Sequence, residues 1–451
     1  MIFQLSELAS RCGGVMVGDN SNFSGFSLDN RDTVQGNVFI AIKGERVDGH
    51  NFVASAFEHG AVCALVDRAV PFPHILVPEV VAALGKLGNS IRKEFHGPVV
   101  GITGSNGKTT AKEMSSAVLG ALGPVLKNTG NQNSEYTSPL TWTRLTPEHK
   151  SAVIEMGMRG FGQIDALAAI SEPNIGLITL IGNAHAEMVG SREGILKAKT
   201  ELFRRLPASG TAIYGADDDF AAQLKASADC QTMSFGFSEG ADVRILKYTP
   251  LSLDRMAIAI GFEGDRIELE LPTVGKHQAL NAAAALTVGI SCGVSLQSGC
   301  ELLPSFEQPP MRMQVIRQRG VTILLDTYNA SPDSVLMALD ALREAKSLGR
   351  LTVILGSMKE LGEHSEAKHR EIGARVAEIE PEMFYTIGDE ATWMADEAVQ
   401  LGLASAKVRQ LADAAEVRRV IESLGDGDFV LVKGSRALEL ERAFETVKVH
   451  D

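Results

Sequence analysis

The sequence lacks several features that would define a specialised class of protein. Its five cysteines are scattered and form no Cys-x-x-Cys pair, which argues against a disulfide framework and favours reduced, mostly buried thiols. No apolar run reaches the length of a transmembrane helix, and the first residues lack the basic and apolar regions of a secretory signal. We therefore expect a cytoplasmic protein without membrane insertion.

Positive charge is also scarce. The formal net charge at pH 7 is −13, with 43 Lys and Arg against 56 Asp and Glu. This balance disfavours a general nucleic-acid binder, so any anionic ligand must be held by local groups. The length of 451 residues, with ordinary apolar and charged fractions, predicts two or three globular domains.

One segment predicts a phosphate-binding turn. An apolar strand at 99–103 leads into a glycine-rich turn that ends in Gly107, Lys108 and two threonines, and a helix is predicted from Ala111 to Leu122. The backbone N–H groups of such a turn and the N-terminus of the next helix bind phosphate. We expect the following residues to bind a nucleoside triphosphate: Gly104, Ser105, Asn106, Gly107, Lys108, Thr109 and Thr110.

The spacing of this segment, hereafter the phosphate loop (residues 101–110), departs from the common pattern. That pattern places a glycine five residues before Gly107, where this chain has Ile102. An ordinary strand-to-helix turn is the alternative interpretation. It explains the glycines but not Lys108 and the hydroxyls that follow, which suit the outer phosphates and Mg²⁺.

The rest of the chain predicts an α/β fold with three domains. Residues 1–95 form an N-terminal mixed α/β domain. Residues 96–310 form a central domain with a P-loop-type parallel sheet, to which a hairpin at 256–274 is appended, and residues 311–451 form a C-terminal Rossmann-like, doubly wound domain. Because ligands of such sheets bind at the carboxyl ends of the strands, polar residues at those ends are candidates for a site between domains.

Two candidates follow strands of the central sheet. Glu155 ends the strand at 152–156, where it would either bind Mg²⁺ or face water. His185 follows the strand at 175–181, where it is either a metal or phosphate partner or a loop histidine without a function.

Lys199 lies on an unusual face of a predicted helix at 191–203. It shares that face with Ile195, Leu202 and Phe203, so it either extends to solvent or is buried for a function. Burial would lower its pKa and keep the amine neutral, and a neutral amine reacts with CO₂ to give a carbamate, an anionic metal ligand.

Four further residues are candidates at the nucleotide. Gln278 and Asn281 lie three apart at a predicted helix start, where their amides would either contact the adenine base or, for Asn281, cap the helix. Arg312 follows the linker prolines and Asp326 ends the first strand of the C-terminal domain. They would either complete a site when a domain closes or form an ordinary interface ion pair.

Together these segments resemble the Mur ligase family of ATP-dependent amide ligases, over essentially the whole chain. The resemblance rests on the following residues: Thr103 to Thr109, Glu155, Asn183-Ala184-His185, the helix with Lys199, Gly275 to Asn281, Arg312, and Lys433-Gly434-Ser435-Arg436. Within the family, residues 44–52, 326–332 and 355–362 resemble the ligase that adds D-alanyl-D-alanine to a UDP-linked muramoyl tripeptide. Asn30 and Ser357 depart from that member, which usually has Ser and an acidic residue at these positions.

The resemblance implies a mechanism and a set of ligands. ATP would phosphorylate the terminal carboxylate of UDP-MurNAc-tripeptide, and the amine of D-Ala-D-Ala would attack the acyl phosphate. Thr109 and Glu155 would bind one Mg²⁺, and His185 with carbamylated Lys199 would bind a second. Arg312 and Asp326 would close over the nucleotide.

The resemblance also assigns the two other substrates. It implies that Ser27, Arg31 and Lys43 hold the UDP group and that Tyr328 and Asn329 lie where the dipeptide docks. We expect a monomer. Other ligases of this superfamily, and a P-loop NTPase that drives a conformational switch, are the alternatives that the sequence leaves open.

Overall fold

The computed structural model describes residues 4–44, 47–183, 186–345 and 350–444. Their strands form three sheets, and helices connect many of the strands along the chain, which confirms the α/β class. The first sheet has five strands in the order β1-β5-β4-β3-β2 and is parallel except for β1. Its strands are β1 Val15–Val17, β2 Gly25–Ser27, β3 Asn37–Ile40, β4 Cys63–Val66 and β5 His74–Leu76, and the helices here are α1 Leu5–Cys12, α2 Val53–Glu58 and α3 Val80–Arg92.

The second sheet has nine strands in the order β14-β13-β12-β11-β10-β9-β6-β8-β7. Its strands are β6 Val99–Thr103, β7 Val125–Lys127, β8 Ser151–Glu155, β9 Ile175–Ile178, β10 Thr211–Gly215, β11 Gln231–Gly236, β12 Val243–Ser252, β13 Arg255–Phe262 and β14 Asp265–Leu271. The helices in this part of the chain are α4 Lys108–Leu119, α5 Ser138–Trp142, α6 Gln163–Ser171, α7 Ala186–Val189, α8 Arg192–Lys199, α9 Glu201–Arg204, α10 Ala221–Ala226, α11 Lys276–Ser291 and α12 Leu296–Leu302.

The third sheet has six strands in the order β15-β16-β20-β17-β18-β19, and only its edge strand β15 is antiparallel to its neighbour. Its strands are β15 Gln314–Gln318, β16 Val321–Asp326, β17 Leu351–Gly356, β18 Met383–Ile387, β19 Val408–Leu411 and β20 Phe429–Lys433. The helices here are α13 Pro332–Ala345, α14 Ser365–Ile379, α15 Thr392–Gln400 and α16 Ala414–Ser423.

Burial explains these strand types. All five residues of β6 and of β8 are buried, as expected for strands covered on both faces. By contrast, exposed and partly buried residues alternate along β14, which ends an antiparallel segment of three strands. The predicted hairpin at 256–274 is therefore correct, but the sequence reading missed β12, its other partner.

The density of contacts divides the chain into two compact units. The first comprises Met1–Gly101, Gly123–Met158 and Gly162–Asn174, and the second comprises Ile102–Leu122, Arg159–Phe161 and Ile175–Asp451. The predicted domain boundaries at 95 and 310 stay predictions.

Three predicted helix limits are wrong. Helix α4 begins at Lys108 rather than Ala111, because Gly107 takes the N-cap position and Lys108 is the first helical residue. Helix α11 begins at Lys276, so Asn281 lies within it and does not cap it. The predicted helix at 191–203 is divided at Thr200 into α8 and α9.

Candidate active site

The turn between β6 and α4 requires glycine at two positions. Gly104 has a φ of 152°, and a Cβ there would lie 1.8 Å from the Oγ1 of Thr179. Gly107 has a φ of 83°, and a Cβ there would lie 2.5 Å from the Oδ1 of Asn281. A side chain at either position would meet both a left-handed backbone and a neighbouring polar group. The close packing explains why these glycines precede Lys108.

The phosphate loop is fixed by hydrogen bonds to the segment after β9. The backbone N–H of Ser105 donates to the carbonyl of Leu180 at 2.9 Å. The Oγ1 of Thr179 donates to the carbonyl of Asn106 at 2.6 Å. These contacts fix the phosphate loop to the segment that follows β9. Thr179 was not among the candidates from the sequence, because its hydroxyl reaches the loop from a distant strand.

The side chains of the phosphate loop suit an anion. Among the described residues, the Nδ2 of Asn106 and the Oγ1 of Thr103 are buried without a hydrogen-bond partner. The Nζ of Lys108 donates to the carbonyl of Gly104 at 2.6 Å, within its own loop. Thr109 and Thr110 are buried in the first turn of α4. Buried donors without partners are costly, so a ligand with oxygen acceptors would satisfy them.

Lys199 is buried at the end of α8, with 1% of its surface exposed. The interpretation in which it extends to solvent is therefore wrong. Burial lowers the pKa of Lys199 well below its usual value, and the positive charge of Lys108 lowers it further. The lowered pKa favours the neutral amine, which is the form that reacts with CO₂.

Gln278 and Asn281 lie on one face of α11, and both are buried. The Nδ2 of Asn281 donates to the Oε1 of Gln278 at 3.3 Å. Asn281 also lies against Gly107, as its distance from the position of a Cβ there shows. The structure therefore brings this amide pair to the phosphate loop.

Glu155 lies at the end of β8 and is 1% exposed, so a position facing water is wrong. The Nδ2 of Asn133 donates to its Oε1 at 2.8 Å. Its backbone is held on both sides by Asn128, which accepts from the Glu155 N–H at 2.7 Å and donates to its carbonyl at 3.1 Å. This buried carboxylate is fixed in place by two asparagines that the sequence reading missed.

The metal ligands are only partly described. His185 lies outside the described residues, as does Ala184. Among the residues that the structure describes, no group of three or more His, Cys, Asp or Glu side chains could hold a metal ion. The oxygen donors of Thr109 and Glu155 are of the type that Mg²⁺ prefers. Their assignment as metal ligands stays a prediction.

At the carboxyl ends of β16 and β20, the buried Lys433 forms an ion pair with the partly buried Asp326. These two residues are direct neighbours in the register, and the Nζ of Lys433 lies 2.5 Å from the Oδ2 of Asp326. The same ammonium donates to the carbonyl of Asn329 at 3.1 Å. Burial lowers the pKa of the nearby His277 to about 4, although the charge of Asp326 opposes this shift. His277 is a further residue whose place beside the pair the sequence did not reveal.

Arg312 and Tyr328 lie together, although the sequence assigned them to different ligands. The guanidinium carbon of Arg312 lies 4.2 Å from the ring centroid of Tyr328, which is a close cation–π contact. Asn329, the next residue, uses its Oδ1 to accept a hydrogen bond from the N–H of Ala330 at 2.9 Å. The tyrosine ring thus fixes the position of the arginine.

The segment after β16 reaches the phosphate loop. The Oγ of Ser331 lies 3.5 Å from the Oδ1 of Asn106. Asp333 accepts two hydrogen bonds from Asn183, which belongs to the segment that follows β9. The second compact unit therefore brings residues on both sides of the linker prolines to one site. Ser331 and Asp333 were missed, because their partners lie far away in the sequence.

The residues predicted to hold the UDP group lie in the first sheet and its loops. The Oγ of Ser27 is 2.8 Å from the Oγ1 of Thr33. Arg31 is exposed and pairs with Asp29, whose pKa this arginine lowers to about 2. Lys43 is exposed and forms an isolated β-bridge with Asp48. Arg31 and Lys43 are therefore exposed, whereas Ser27 is buried. Their assignment to the UDP group stays a prediction.

Comparison with known proteins identifies the family of the chain. Three family models match the chain: the Mur ligase family catalytic domain over residues 22–97, the Mur ligase middle domain over 102–289, and the Mur ligase glutamate ligase domain over 311–436. A UDP-N-acetylmuramoyl-tripeptide–D-alanyl-D-alanine ligase of Bacillus subtilis is 34% identical over 92% of this chain and 91% of its own length.

The chain belongs to the Mur ligase family. Two solved structures of this family are also similar to it. MurF from Acinetobacter baumannii has a TM-score of 0.86 and 30% identity, covering 98% of this chain and 97% of its own. MurF from Thermotoga maritima in complex with ADP has a TM-score of 0.79 and 31% identity, covering 93% and 96%. No helix in the described part of this Mur ligase is long and apolar enough to cross a membrane.

Proposed function

We propose that the protein joins D-alanyl-D-alanine to UDP-N-acetylmuramoyl-tripeptide in an ATP-dependent, ADP-forming reaction that supplies the precursor of peptidoglycan. The observation that carries the proposal is the contact of the segment 326–332 with the phosphate loop. This segment is one of those that resemble the D-alanyl-D-alanine-adding ligase, and relatives with that name match most of the chain. The product would serve cell-wall growth, and with it cell shape and division.

The reaction has two steps. A carboxylate oxygen of the tripeptide attacks the γ-phosphorus of ATP, the bond to the bridging oxygen breaks, and ADP leaves. The amine nitrogen of the dipeptide then attacks the acyl carbon, the bond to the phosphate oxygen breaks, and phosphate leaves while the amine loses a proton. The protein contributes mainly position and charge stabilisation in such a transfer.

The phosphate loop would hold the triphosphate. The backbone of Gly104 to Gly107 and the ammonium of Lys108 would contact the phosphates, and Gln278 with Asn281 would contact the adenine. Arg312 and Asp326 would close over the nucleotide. The buried donors of Asn106 and Thr103 support this assignment, because they require acceptors that the described protein residues do not supply.

Magnesium would neutralise the negative charge that develops on the phosphates. Thr109 and Glu155 would hold one ion, and His185 with carbamylated Lys199 a second. The carbamate forms when the neutral Lys199 amine attacks CO₂, with formation of one N–C bond and loss of one proton. The burial and lowered pKa of this lysine support the proposal.

The carbamate has its own test. The Lys199→Ala variant should lose ligase activity, bicarbonate should not restore it, and a short carboxylic acid should restore part of it by filling the space of the carbamate. Near-normal activity of this variant would contradict the assignment.

The other two substrates would bind at the remaining candidates. Ser27, Arg31 and Lys43 would contact the UDP group, and Tyr328 and Asn329 would lie beside the dipeptide. We further propose that the protein acts as a monomer in the cytoplasm. Gel filtration with light scattering tests the monomer, which should run near 48 kDa.

Phosphate release tests the function. The protein should release phosphate from ATP only when UDP-MurNAc-tripeptide and D-Ala-D-Ala are both present. A P-loop NTPase that drives a conformational switch would hydrolyse ATP without the amine. A ligase that adds diaminopimelate or lysine would instead accept the free amino acid on a dipeptide precursor, and that result would refute the proposal.

A further inference from the structure

The segment that follows β9, hereafter the β9 loop (residues 181–183), is held at successive backbone groups. The N–H of Ile181 donates to the Oδ2 of Asp218 at 2.7 Å, and its carbonyl accepts from Arg192 at 3.0 Å. The N–H of Gly182 donates to the Oγ of Ser105 at 2.9 Å, within the phosphate loop. The β9 loop is therefore fixed directly against the nucleotide-binding turn.

The last backbone donor of the β9 loop is held by Asp333, at the start of α13. The N–H of Asn183 donates to its Oδ2 at 2.8 Å, and the side-chain Nδ2 of Asn183 donates to its Oδ1 at 2.9 Å. The approach is so close that a Cβ on Gly182 would lie 2.5 Å from the same carboxylate. Both carboxylate oxygens of Asp333 thus accept hydrogen bonds from Asn183, which lies 150 positions away in the sequence.

Capping of α13 does not explain this contact. The hydroxyl of Ser331 already accepts from the N–H of Ser334 at 3.4 Å in the first turn of the helix. Asp333 instead directs its charge to two donors of another segment, and hydrogen bonds to a charged group are about twice as strong as neutral ones. A carboxylate beside a bound triphosphate would be repelled unless such donors hold it.

We propose that Asp333 is a positioning residue for phosphoryl transfer. It connects the residues from the end of β16 onward, among them Asp326 and Tyr328, to the β9 loop, and Ser105 connects the β9 loop to the rest of the phosphate loop. Loss of the contact leaves the nucleotide bound but misplaces the groups that meet it. This inference rests on the proposed function, since the affected rate is that of ligation.

Exchange of the two partners tests the inference. In Asn183→Asp, two carboxylates face each other, and the rate constant kcat should fall at least 100-fold. In Asp333→Asn, one acceptor remains, and kcat should fall about tenfold. The double variant restores an amide opposite a carboxylate and should be at least tenfold faster than Asn183→Asp alone.

A matched control lies on the same helix. Asp340 pairs with Arg375 rather than with the β9 loop, so Asp340→Asn should keep kcat within twofold of the wild type. The dissociation constant for ADP should stay within threefold in every variant, because the phosphate loop is unchanged. A double variant no faster than Asn183→Asp, or a loss of ADP binding in Asp333→Asn, would refute a positioning role.

Hydrogen exchange separates this inference from the proposed function. The amide of Asn183 should exchange at least tenfold faster in Asp333→Ala than in the wild type, whether or not the protein ligates D-Ala-D-Ala. Unchanged protection would overturn the contact itself. Absence of ligation in the wild type, with the exchange result as expected, would refute the proposed function alone.

Discussion

Replacing Gly107 with alanine should weaken nucleotide binding as well as the fold. A Cβ at this position would lie 2.5 Å from the Oδ1 of Asn281, whereas an ordinary contact begins near 3.4 Å, so one group must move by about 0.9 Å. Asn281 is buried within α11 and cannot turn away without loss of packing. Overpacking of this kind costs about 1–3 kcal/mol, or roughly 5- to 150-fold in affinity.

The backbone contributes a second cost. Gly107 has a φ of 83°, where an L-residue with a Cβ loses about 1–2 kcal/mol relative to glycine. Gly427 separates the two effects, because its φ is 82° and no heavy atom lies within 4 Å of an added Cβ. Both alanine variants should therefore lose a similar free energy of unfolding from the backbone, but only Gly107→Ala should also lose affinity for nucleotide.

Calorimetric titration with ADP and urea unfolding measure the two quantities. We expect a dissociation constant raised at least fivefold in Gly107→Ala and unchanged within twofold in Gly427→Ala. Wild-type affinity in both variants would refute the assignment of Asn281 and Gly107 to the nucleotide site. Equal losses of affinity would show that destabilisation alone weakens binding.

Three further predictions concern single side chains. Lys199→Met should raise the free energy of unfolding at pH 7 in CO₂-free buffer, because burial lowers the pKa of this lysine in the folded protein and the unfolded chain binds the proton more readily. The gain should shrink as pH rises to about 10.4, the ordinary pKa of lysine, and urea unfolding at both pH values checks the sign. Tyr328→Leu should raise the KM for ATP about three- to tenfold, whereas Tyr328→Phe, which keeps the ring beside Arg312, should stay within twofold; a change confined to the KM for D-Ala-D-Ala would contradict this. Lys433→Met leaves the Asp326 carboxylate without its ion pair and should cost about 3–5 kcal/mol in urea unfolding, and a loss below about 1 kcal/mol would argue against the pair.

Local patterns in the sequence predicted the parts of the fold that depend on local physics. The order of strand, glycine-rich turn and lysine identified the phosphate loop, because the backbone must turn sharply before α4. Helical spacing also placed Lys199 on an apolar face. Whether that lysine is buried depends on tertiary packing, and only the structure decided it.

Contacts between distant segments were beyond the sequence. Asp333 and Asn183 are 150 residues apart, and no local signal connects them. The pairing of Arg312 with Tyr328 likewise depends on how β15 and β16 return to each other. The predicted start of α11 was wrong because asparagine is a residue type that often caps helices, which favoured Asn281 as the cap. The N-cap in the structure is Gly275, with a φ of 108°.

Mass spectrometry of the product tests the central claim most directly. The protein, incubated with ATP, Mg²⁺, UDP-MurNAc-tripeptide and D-Ala-D-Ala, should give a nucleotide product whose mass increases by that of the dipeptide minus one water. One ADP and one phosphate should form for each product molecule. Formation of ADP and phosphate without this product, or a mass increase by a single amino acid, would contradict the account.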